Sequence, residues 1–247
     1  FKATLQEVSM LRDSLESISL LIPEASLEFS KEGIKLVAMD PASVALVLMK
    51  VLPSAFLEYE CSENKVITLS LTNLVNILKR ARANDQVLFQ LGENKLKIHM
   101  RGDFLRSFSM PLIDTPQGSQ KIPELSFKAK IELSANALRD GIKDASMVSD
   151  CAIFEINDDK FVIRSFGDTS ETQLELTKDT PSLLSMSSNS NIKSKYSIEY
   201  LDNMLKGTRI SDNITLQFSA DYPIKLDCVA IDKLQLSFIL APRVDTD

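Results

Sequence analysis

The chain has 247 residues, 44% hydrophobic and 25% charged, a balance that lets a globular protein bury a core without metal or disulfide staples. Its net charge of −6 and pI of about 5.0 argue against a protein that binds nucleic acid over its whole surface, although the distribution of charge decides what any one face attracts. No apolar run approaches the roughly 20 residues needed to cross a bilayer, there is no basic-then-apolar leader, and the three cysteines (Cys61, Cys151, Cys228) are far apart, so an intracellular protein, cytoplasmic or nuclear, with reduced thiols is expected.

In chain order, Val8, Leu11, Leu15, Ile18 and Leu21 recur at three- and four-residue spacing and predict a helix that Pro23 ends. Alternation at Ser26–Phe29 and Thr68–Leu71 predicts half-buried strands. A second helix is predicted from Thr72 to about Arg82, with Leu74, Leu78 and Ala81 inward and the Thr72 hydroxyl as its N-cap. Lys95–Ile98 again alternates. Beyond a polar stretch at 114–124 that contains Pro116, Gly118 and Pro123, Ser134 caps a third helix with Leu138, Ile142 and Ala145 inward. Ser197 caps a fourth with Leu201, Met204 and Leu205 inward, ended by Gly207, and Thr215–Phe218 is a further strand.

The second half repeats the first at an offset of 127 residues. Leu11-Arg12-Asp13 falls on Leu138-Arg139-Asp140, Leu74 on Leu201, Lys79 on Lys206, Arg82 on Arg209, Asp85 on Asp212 and Gln90 on Gln217. Agreement in both apolar and charged positions predicts two similar domains, 1–114 and 127–247, joined by an exposed strap at 115–126. Each domain carries two helices among many strands, an α+β arrangement with helices on one face of antiparallel sheets.

The predicted helices carry eight basic against six acidic side chains, a net +2 that leaves −8 for the remainder. A polyanion would be drawn to the helical layer and repelled elsewhere. Either these are ordinary solvated charges, or the matched pairs Lys79/Lys206 and Arg82/Arg209 mark a repeated functional face.

Catalytic signatures are missing. His99 stands alone in an alternating strand, and there is no CxxC, no GxxxxGK[ST] and no GxGxxG. Asp158-Asp159 invites a two-metal nuclease reading, but its place between Ile156 and Phe161 is that of a hairpin turn. No histidine is placed to activate a serine. No catalytic residue, metal or cofactor is expected.

Four segments carry a family likeness: Leu36-Val-Ala-Met-Asp-Pro-Ala-Ser-Val44, Leu71-Thr-Asn-Leu-Val-Asn-Ile-Leu-Lys79, Ser219-Ala-Asp-Tyr-Pro-Ile224 and Phe238-Ile-Leu-Ala-Pro-Arg243. Over its whole length the chain resembles the DNA sliding clamps of the proliferating-cell-nuclear-antigen family, of archaeal type at Met39-Asp40-Pro41 and Pro111–Asp114. The resemblance implies three two-domain subunits closed into a ring, with twelve helices lining a pore around duplex DNA. Contacts there would be independent of base sequence, because phosphates carry no base code.

By position the resemblance makes Arg12, Lys79, Lys143 and Lys206 DNA-facing; the charge count adds Arg80, Arg82 and Arg209. Asp13 and Ser19 stand where human-type clamps carry lysine, which weakens the first helix's contribution. A groove for short helical peptides of DNA polymerase, clamp loader, flap endonuclease and DNA ligase is implied at Met39, Val44, Leu46, Ile122, Phe127, Pro223, Ile239, Leu240, Ala241 and Pro242. The strand around 104–112 of one subunit is expected to pair with that around 172–178 of the next, with Phe108, Met110, Leu112, Leu174 and Leu176 at the seam. The alternatives are a specialised subunit of a heterotrimeric or checkpoint-type clamp, and a nuclease using surface carboxylates.

Overall fold

The structure is a computed structural model that describes residues 1–114, 120–188 and 190–244. Among them the chain forms β1 (Lys2–Leu5), α1 (Ser9–Leu21), β2 (Glu24–Ser30), β3 (Gly33–Met39), β4 (Ala45–Val51), β5 (Glu58–Glu60), β6 (Lys65–Ser70), α2 (Leu71–Leu78), β7 (Gln86–Leu91), β8 (Lys95–Arg101) and β9 (Leu105–Pro111). It continues with β10 (Ala129–Ser134), α3 (Ala135–Ser146), β11 (Cys151–Asn157), β12 (Lys160–Phe166), β13 (Glu171–Thr177), β14 (Leu183–Ser188), β15 (Ile192–Ser197), α4 (Ile198–Lys206), β16 (Asn213–Phe218), β17 (Ile224–Ala230) and β18 (Leu234–Leu240). The element order of β1–β9 with α1 and α2 is repeated in β10–β18 with α3 and α4, so the 127-residue repeat is a repeat of structure.

Two compact units result. One holds Phe1–Pro41, Val47–Ile122 and Val229–Leu236; the other holds Ala42–Leu46, Pro123–Cys228 and Ser237–Asp247. The first contains an antiparallel sheet ordered β5-β1-β7-β8-β9, and in a second layer β4-β3-β2-β6 lie side by side. Alternation sorts the five-stranded sheet into two faces: Ala3, Val87, Phe89, Leu96, Ile98 and Met100 are buried, whereas Lys2, Gln86, Gln90, Lys95 and Arg101 point outward. α1 packs on α2, with Leu11, Leu15 and Ile18 buried and the small Ser14 and Ser17 fully covered. Gly33 is obligatory in the β2–β3 hairpin: its φ is +119°, and a Cβ there would sit 2.0 Å from the Val51 carbonyl oxygen.

The second unit holds a sheet ordered β13-β12-β11-β15 and the run β14-β10-β16-β17-β18; α3 packs against β10, β11, β12 and β13, and α4 against α3 and β15. The core is aromatic. Phe154 meets Phe161, Tyr196 and Phe218 edge-on at centroid distances of 5.7, 5.5 and 6.2 Å. The buried Tyr196 hydroxyl donates to the Tyr222 carbonyl at 2.8 Å, so this phenol is satisfied.

Local details differ from the sequence reading. α2 begins at Leu71 and is capped by Ser70, whose hydroxyl accepts from the Asn73 amide at 3.2 Å; Thr72 is already inside the helix. The helix stops at Leu78, so Lys79 is its C-cap and Arg80 and Arg82 follow it. The reason is the Asp85 carboxylate, which takes the Arg82 amide at 2.7 Å and turns the chain into β7. Ser134 and Ser197 hold the N-cap positions of α3 and α4, but neither hydroxyl makes the capping bond. Gly207 keeps right-handed φ (−71°), and the chain tightens into a 3₁₀ turn at Gly207–Ile210 that carries Arg209. Asp158, at φ +52°, and Asp159 form the tight β11–β12 turn.

Candidate functional site

The helix-layer cations fall into two groups. Several are already engaged inside the chain. Arg12 pairs with its neighbour Asp13 at 2.8 Å, Lys79 reaches across from α2 to Glu16 on α1 at 2.6 Å, and Lys206 meets Asp202 one turn back at 3.5 Å. Arg82 lies 3.7 Å from Asp103 and 5.0 Å over the Phe104 ring. Arg80, Lys143 and Arg209 are exposed and carry no ion pair among the described residues. The charge count therefore overstates the free charge: the acids nearest the pair Lys79/Lys206 take part of it back.

Behind Arg82 sits a buried network that the sequence did not announce. Arg106, on β9, pairs with Asp85, whose side chain is only 4% exposed, and donates to the Arg80 carbonyl at 2.7 Å. Gly102 passes so close that a Cβ there would lie 2.2 Å from the Asp85 carboxylate. Arg106 also faces the Phe104 ring at 5.7 Å. One guanidinium thus ties the end of α2, the start of β7 and the beginning of β9 together.

β9 and β13 are each the terminal strand of their sheet, with a neighbour on one side only. Phe108 sits half-buried opposite Ile98, and Leu112 is half-buried just past the strand. Met110 and Leu176 are 4% and 3% exposed and belong to the core of the chain itself, so they support the edges from beneath. Leu174 is half-buried and leans on α3 at Gly141, where a Cβ would meet its Cδ2 at 2.7 Å.

In the second unit, residues of the implied peptide groove come together. The Ala241 amide donates to the Val44 carbonyl at 2.9 Å, Phe127 stands edge-on to Tyr222 at 6.0 Å, and the Lys128 amide donates to Ser219 Oγ at 2.9 Å. Val44, Phe127, Pro223, Ala241 and Pro242 keep part of their surface open, whereas Leu46, Ile239 and Leu240 are buried at 3%, 8% and 0% exposed and are core. Tyr222, absent from the sequence-based set, shares that surface; its place inside the Ser219–Ile224 segment was the available signal. Past the last strand, the Arg243 amide donates to the Lys195 carbonyl at 2.7 Å and its guanidinium meets Asp150 at 2.7 Å. The Cys151 thiol and Arg243 hold the Asp150 carboxyl below its usual range, and burial pushes the Cys151 thiol up. Met39, half-buried at the end of β3, and Ile122, 49% exposed, belong to the first unit. Of the strap, residues 115–119 lie outside the described residues.

Among the described residues, no group of three His, Cys, Asp or Glu side chains is gathered to hold a metal ion, and no helix is long and apolar enough to cross a membrane. The three cysteines are buried and unpaired. His99 Nδ1 lies 2.8 Å from Ser107 Oγ on the outward face of β8 and β9.

Comparison with known proteins agrees from end to end. The family model for the N-terminal domain of proliferating cell nuclear antigen matches residues 1–102, and that for its C-terminal domain matches 121–243. The chain is 36% identical over 246 residues to DNA polymerase sliding clamp 1 of Thermococcus kodakarensis, covering 99% of each. It is 35% identical over 232 residues to the DNA polymerase sliding clamp of Pyrococcus furiosus, covering 94% of this chain and 93% of that one. A crystal structure of proliferating cell nuclear antigen from Thermococcus kodakaraensis superposes with a TM-score of 0.92 at 28% identity, covering 98% of this chain and 99% of the other. With both of its halves matched in order and relatives above 30% identity along nearly its whole length, the chain belongs to the proliferating cell nuclear antigen family.

Proposed function

We propose that this protein is a DNA polymerase sliding clamp: a ring subunit that encircles duplex DNA without reading its sequence, tethers replication and repair proteins, and catalyses no reaction. The observation that carries this is the end-to-end match to curated sliding clamps, 36% identity across 99% of both chains. The two terminal strands support it physically. β9 and β13 present edges that need a partner or protection, and pairing β9 of one copy with β13 of the next satisfies both.

On this reading the domains are 1–114 and 127–247 with the strap 115–126 between. Phe108 and Leu112 lie at the seam, with Leu174 behind the facing edge. Exposed Arg80, Lys143 and Arg209 give the strongest attraction to phosphates, and Arg12, Lys79, Arg82 and Lys206 contribute after partial neutralisation by their acids. The surface at Val44, Phe127, Tyr222, Pro223, Ala241 and Pro242 offers apolar anchors to a short amphipathic helix from polymerase, clamp loader, flap endonuclease or ligase. The compartment is the one that holds the chromosome, the cytoplasm in a cell of archaeal type.

Purified protein, with a clamp loader of archaeal type, ATP and a primed circular template, tests the reading. The protein should lengthen the products of a cognate polymerase per binding event, and should stay on the closed circle but slide off once the DNA is linearised. Equal retention on circle and linear DNA, with no gain in product length, would refute it.

A further inference from the structure

The five-stranded sheet of the first unit turns outward a row of cations that the proposed DNA and peptide contacts leave unused. β8 carries Lys95, Lys97, His99 and Arg101 at successive outward positions, because Leu96, Ile98 and Met100 point into the core. Outward residues of a strand recur about every 6.7 Å, within the Debye length of about 8 Å at physiological salt, so the charges of this row act together. Register fixes their neighbours. Beside Lys97, His99 and Arg101 lie Gln90, Leu88 and Gln86 on β7, and on the other side Ser109, Ser107 and Leu105 on β9, none of them acidic. Lys95, Lys97 and Arg101 make no ion pair among the described residues, and His99 bonds through Nδ1 to Ser107 Oγ. Of the acids at the rim, Glu58 on β5 is held by Lys2 at 3.7 Å and Asp103 by Arg82 at 3.7 Å.

The internal repeat supplies a control. β17 holds the place of β8 in the run β14-β10-β16-β17-β18, and its outward positions include Lys225 and Asp227. These two meet at 2.9 Å, so the charge cancels within the strand. The same architecture therefore stands without a cationic row, and packing does not require the one on β8. The face is also hollow. Lys2, Leu57, Leu88, His99, Arg101 and Leu105 line a depression of about 480 Å³. Leu57 and Leu105 are 57% and 61% exposed, so apolar surface lies open beside the charge.

We propose that this face binds an acidic segment of a partner protein, extended along β8, with Glu or Asp at alternate positions and an apolar side chain seated in the depression. Alternate side chains of an extended peptide point the same way and recur at the spacing of the β8 row, so successive carboxylates can meet successive cations. The Lys97 ammonium donates to a carboxylate as a point charge, and the Arg101 guanidinium can donate twice to one carboxylate. Leu105 pairs with Arg101 in the register and Leu88 with His99, so an apolar side chain next to the acids has a seat at that end of the row. A nucleic-acid strand fits less well. β1, β7, β8 and β9 turn no aromatic ring outward on which a base could stack, and Phe104 in the β8–β9 turn is already covered by Arg82 and Arg106. The surface belongs to the first unit and shares no residue with the peptide surface at Val44, Phe127 and Tyr222. Charge of this kind chooses the partner and speeds encounter, and the leucines slow its escape.

Fluorescence anisotropy tests this with the full chain and a labelled peptide, Glu-Ser-Glu-Ser-Glu-Ser-Leu, at low and at moderate salt. Wild-type protein should bind it saturably, and less tightly as salt rises. Lys97→Gln with Arg101→Gln should weaken binding by about tenfold or more at low salt. Leu105→Ser should weaken it about threefold at both salts, because the apolar contact is not screened. Circular dichroism checks that each variant folds, and Val44→Asp, in the other peptide surface, should bind this peptide as wild type does. The same residues reordered as Glu-Glu-Glu-Ser-Ser-Ser-Leu should bind about threefold less tightly, since adjacent side chains of an extended chain point to opposite sides. No saturable binding to wild type, charge variants that bind as wild type, or equal affinity for the reordered peptide would each overturn the proposal. So would tighter binding of a labelled thymidine oligonucleotide that the charge variants weaken, which would give the face to a phosphate backbone. None of these outcomes bears on retention on circular DNA, which judges the clamp reading separately.

Discussion

Arg106→Ala probes the link between the buried network and the terminal strand. In the folded chain this guanidinium is 19% exposed and its partner Asp85 only 4%. Removing the cation leaves a carboxylate buried with the Arg82 amide as its remaining hydrogen-bond donor from this cluster. Breaking a buried pair by deleting one partner costs about 3–5 kcal/mol; the part-exposed arginine places this site near about 3 kcal/mol. That is more than a hundredfold in the folding equilibrium of the first unit. With a denaturant slope of about 2–3 kcal/mol/M in urea, the midpoint should fall by roughly 1 M. The chain has no tryptophan, so far-ultraviolet circular dichroism is the natural signal, recorded at fixed protomer concentration because assembly stabilises the folded state. Asp85→Ala should cost less, since the stranded arginine can turn toward water. The double variant should cost less than the two singles together, by about 1–2 kcal/mol of coupling. Amide exchange should rise in β8, in β9 and after α2, and stay unchanged in the second unit. A destabilisation below about 1 kcal/mol for Arg106→Ala, or strict additivity in the double variant, would show that the pair is solvated and does not hold β9 in place.

Two further outcomes concern DNA and partner peptides. Substituting Arg80, Lys143 and Arg209 together by Ala should lower the slope of log association constant against log salt, by about 0.9 for each phosphate left unneutralised, while Lys79 with Lys206 to Ala should change it less, because Glu16 and Asp202 already hold those ammoniums. An equal or larger effect from the lysine pair, measured by anisotropy on labelled duplex, would put the ion pairs in doubt. Val44→Asp, or Phe127→Ala with Tyr222→Ala, should weaken a peptide from a clamp-binding polymerase at least tenfold by calorimetry without disturbing ring assembly; wild-type affinity in both would move the peptide surface elsewhere.

Much of the architecture was legible because it rests on periodicity. Leu11, Leu15 and Ile18 at helical spacing, and Leu96 and Ile98 at strand spacing, are buried as their patterns require. The constant 127-residue offset showed two like halves because each unit buries the same face of the same elements. What escaped was set by single tertiary contacts. Nothing local separates Ser70 from Thr72 as the cap of α2; the Pro23 carbonyl, which accepts from the Leu71 amide at 2.8 Å, anchors the first turn from outside the segment. α2 ends earlier than its pattern predicts because Ala81 and Arg82 are good helix formers, and only the fold brings Asp85 back to take the Arg82 amide.

The charge distribution shows the same limit at the level of function. Charge summed by helix gives a basic layer and an acidic remainder, and both halves of that division are incomplete. Within the layer, Glu16, Asp13 and Asp202 sit close enough to Lys79, Arg12 and Lys206 to screen them, so on the clamp reading a duplex would meet fewer free cations than the sum implies. Within the remainder, strand alternation sends every second residue of Lys95–Arg101 to one face, where a linear sum hides the row they make among the acids of distant strands. A polyanion or a neighbouring subunit responds to charge that shares a face and lacks a partner. That quantity follows from register and side-chain pairing, which the sequence specifies only through the fold, and it is why Arg80, Lys143 and Arg209, and not the lysines that match most clearly in the repeat, are the exposed helix-layer cations without an ion pair among the described residues.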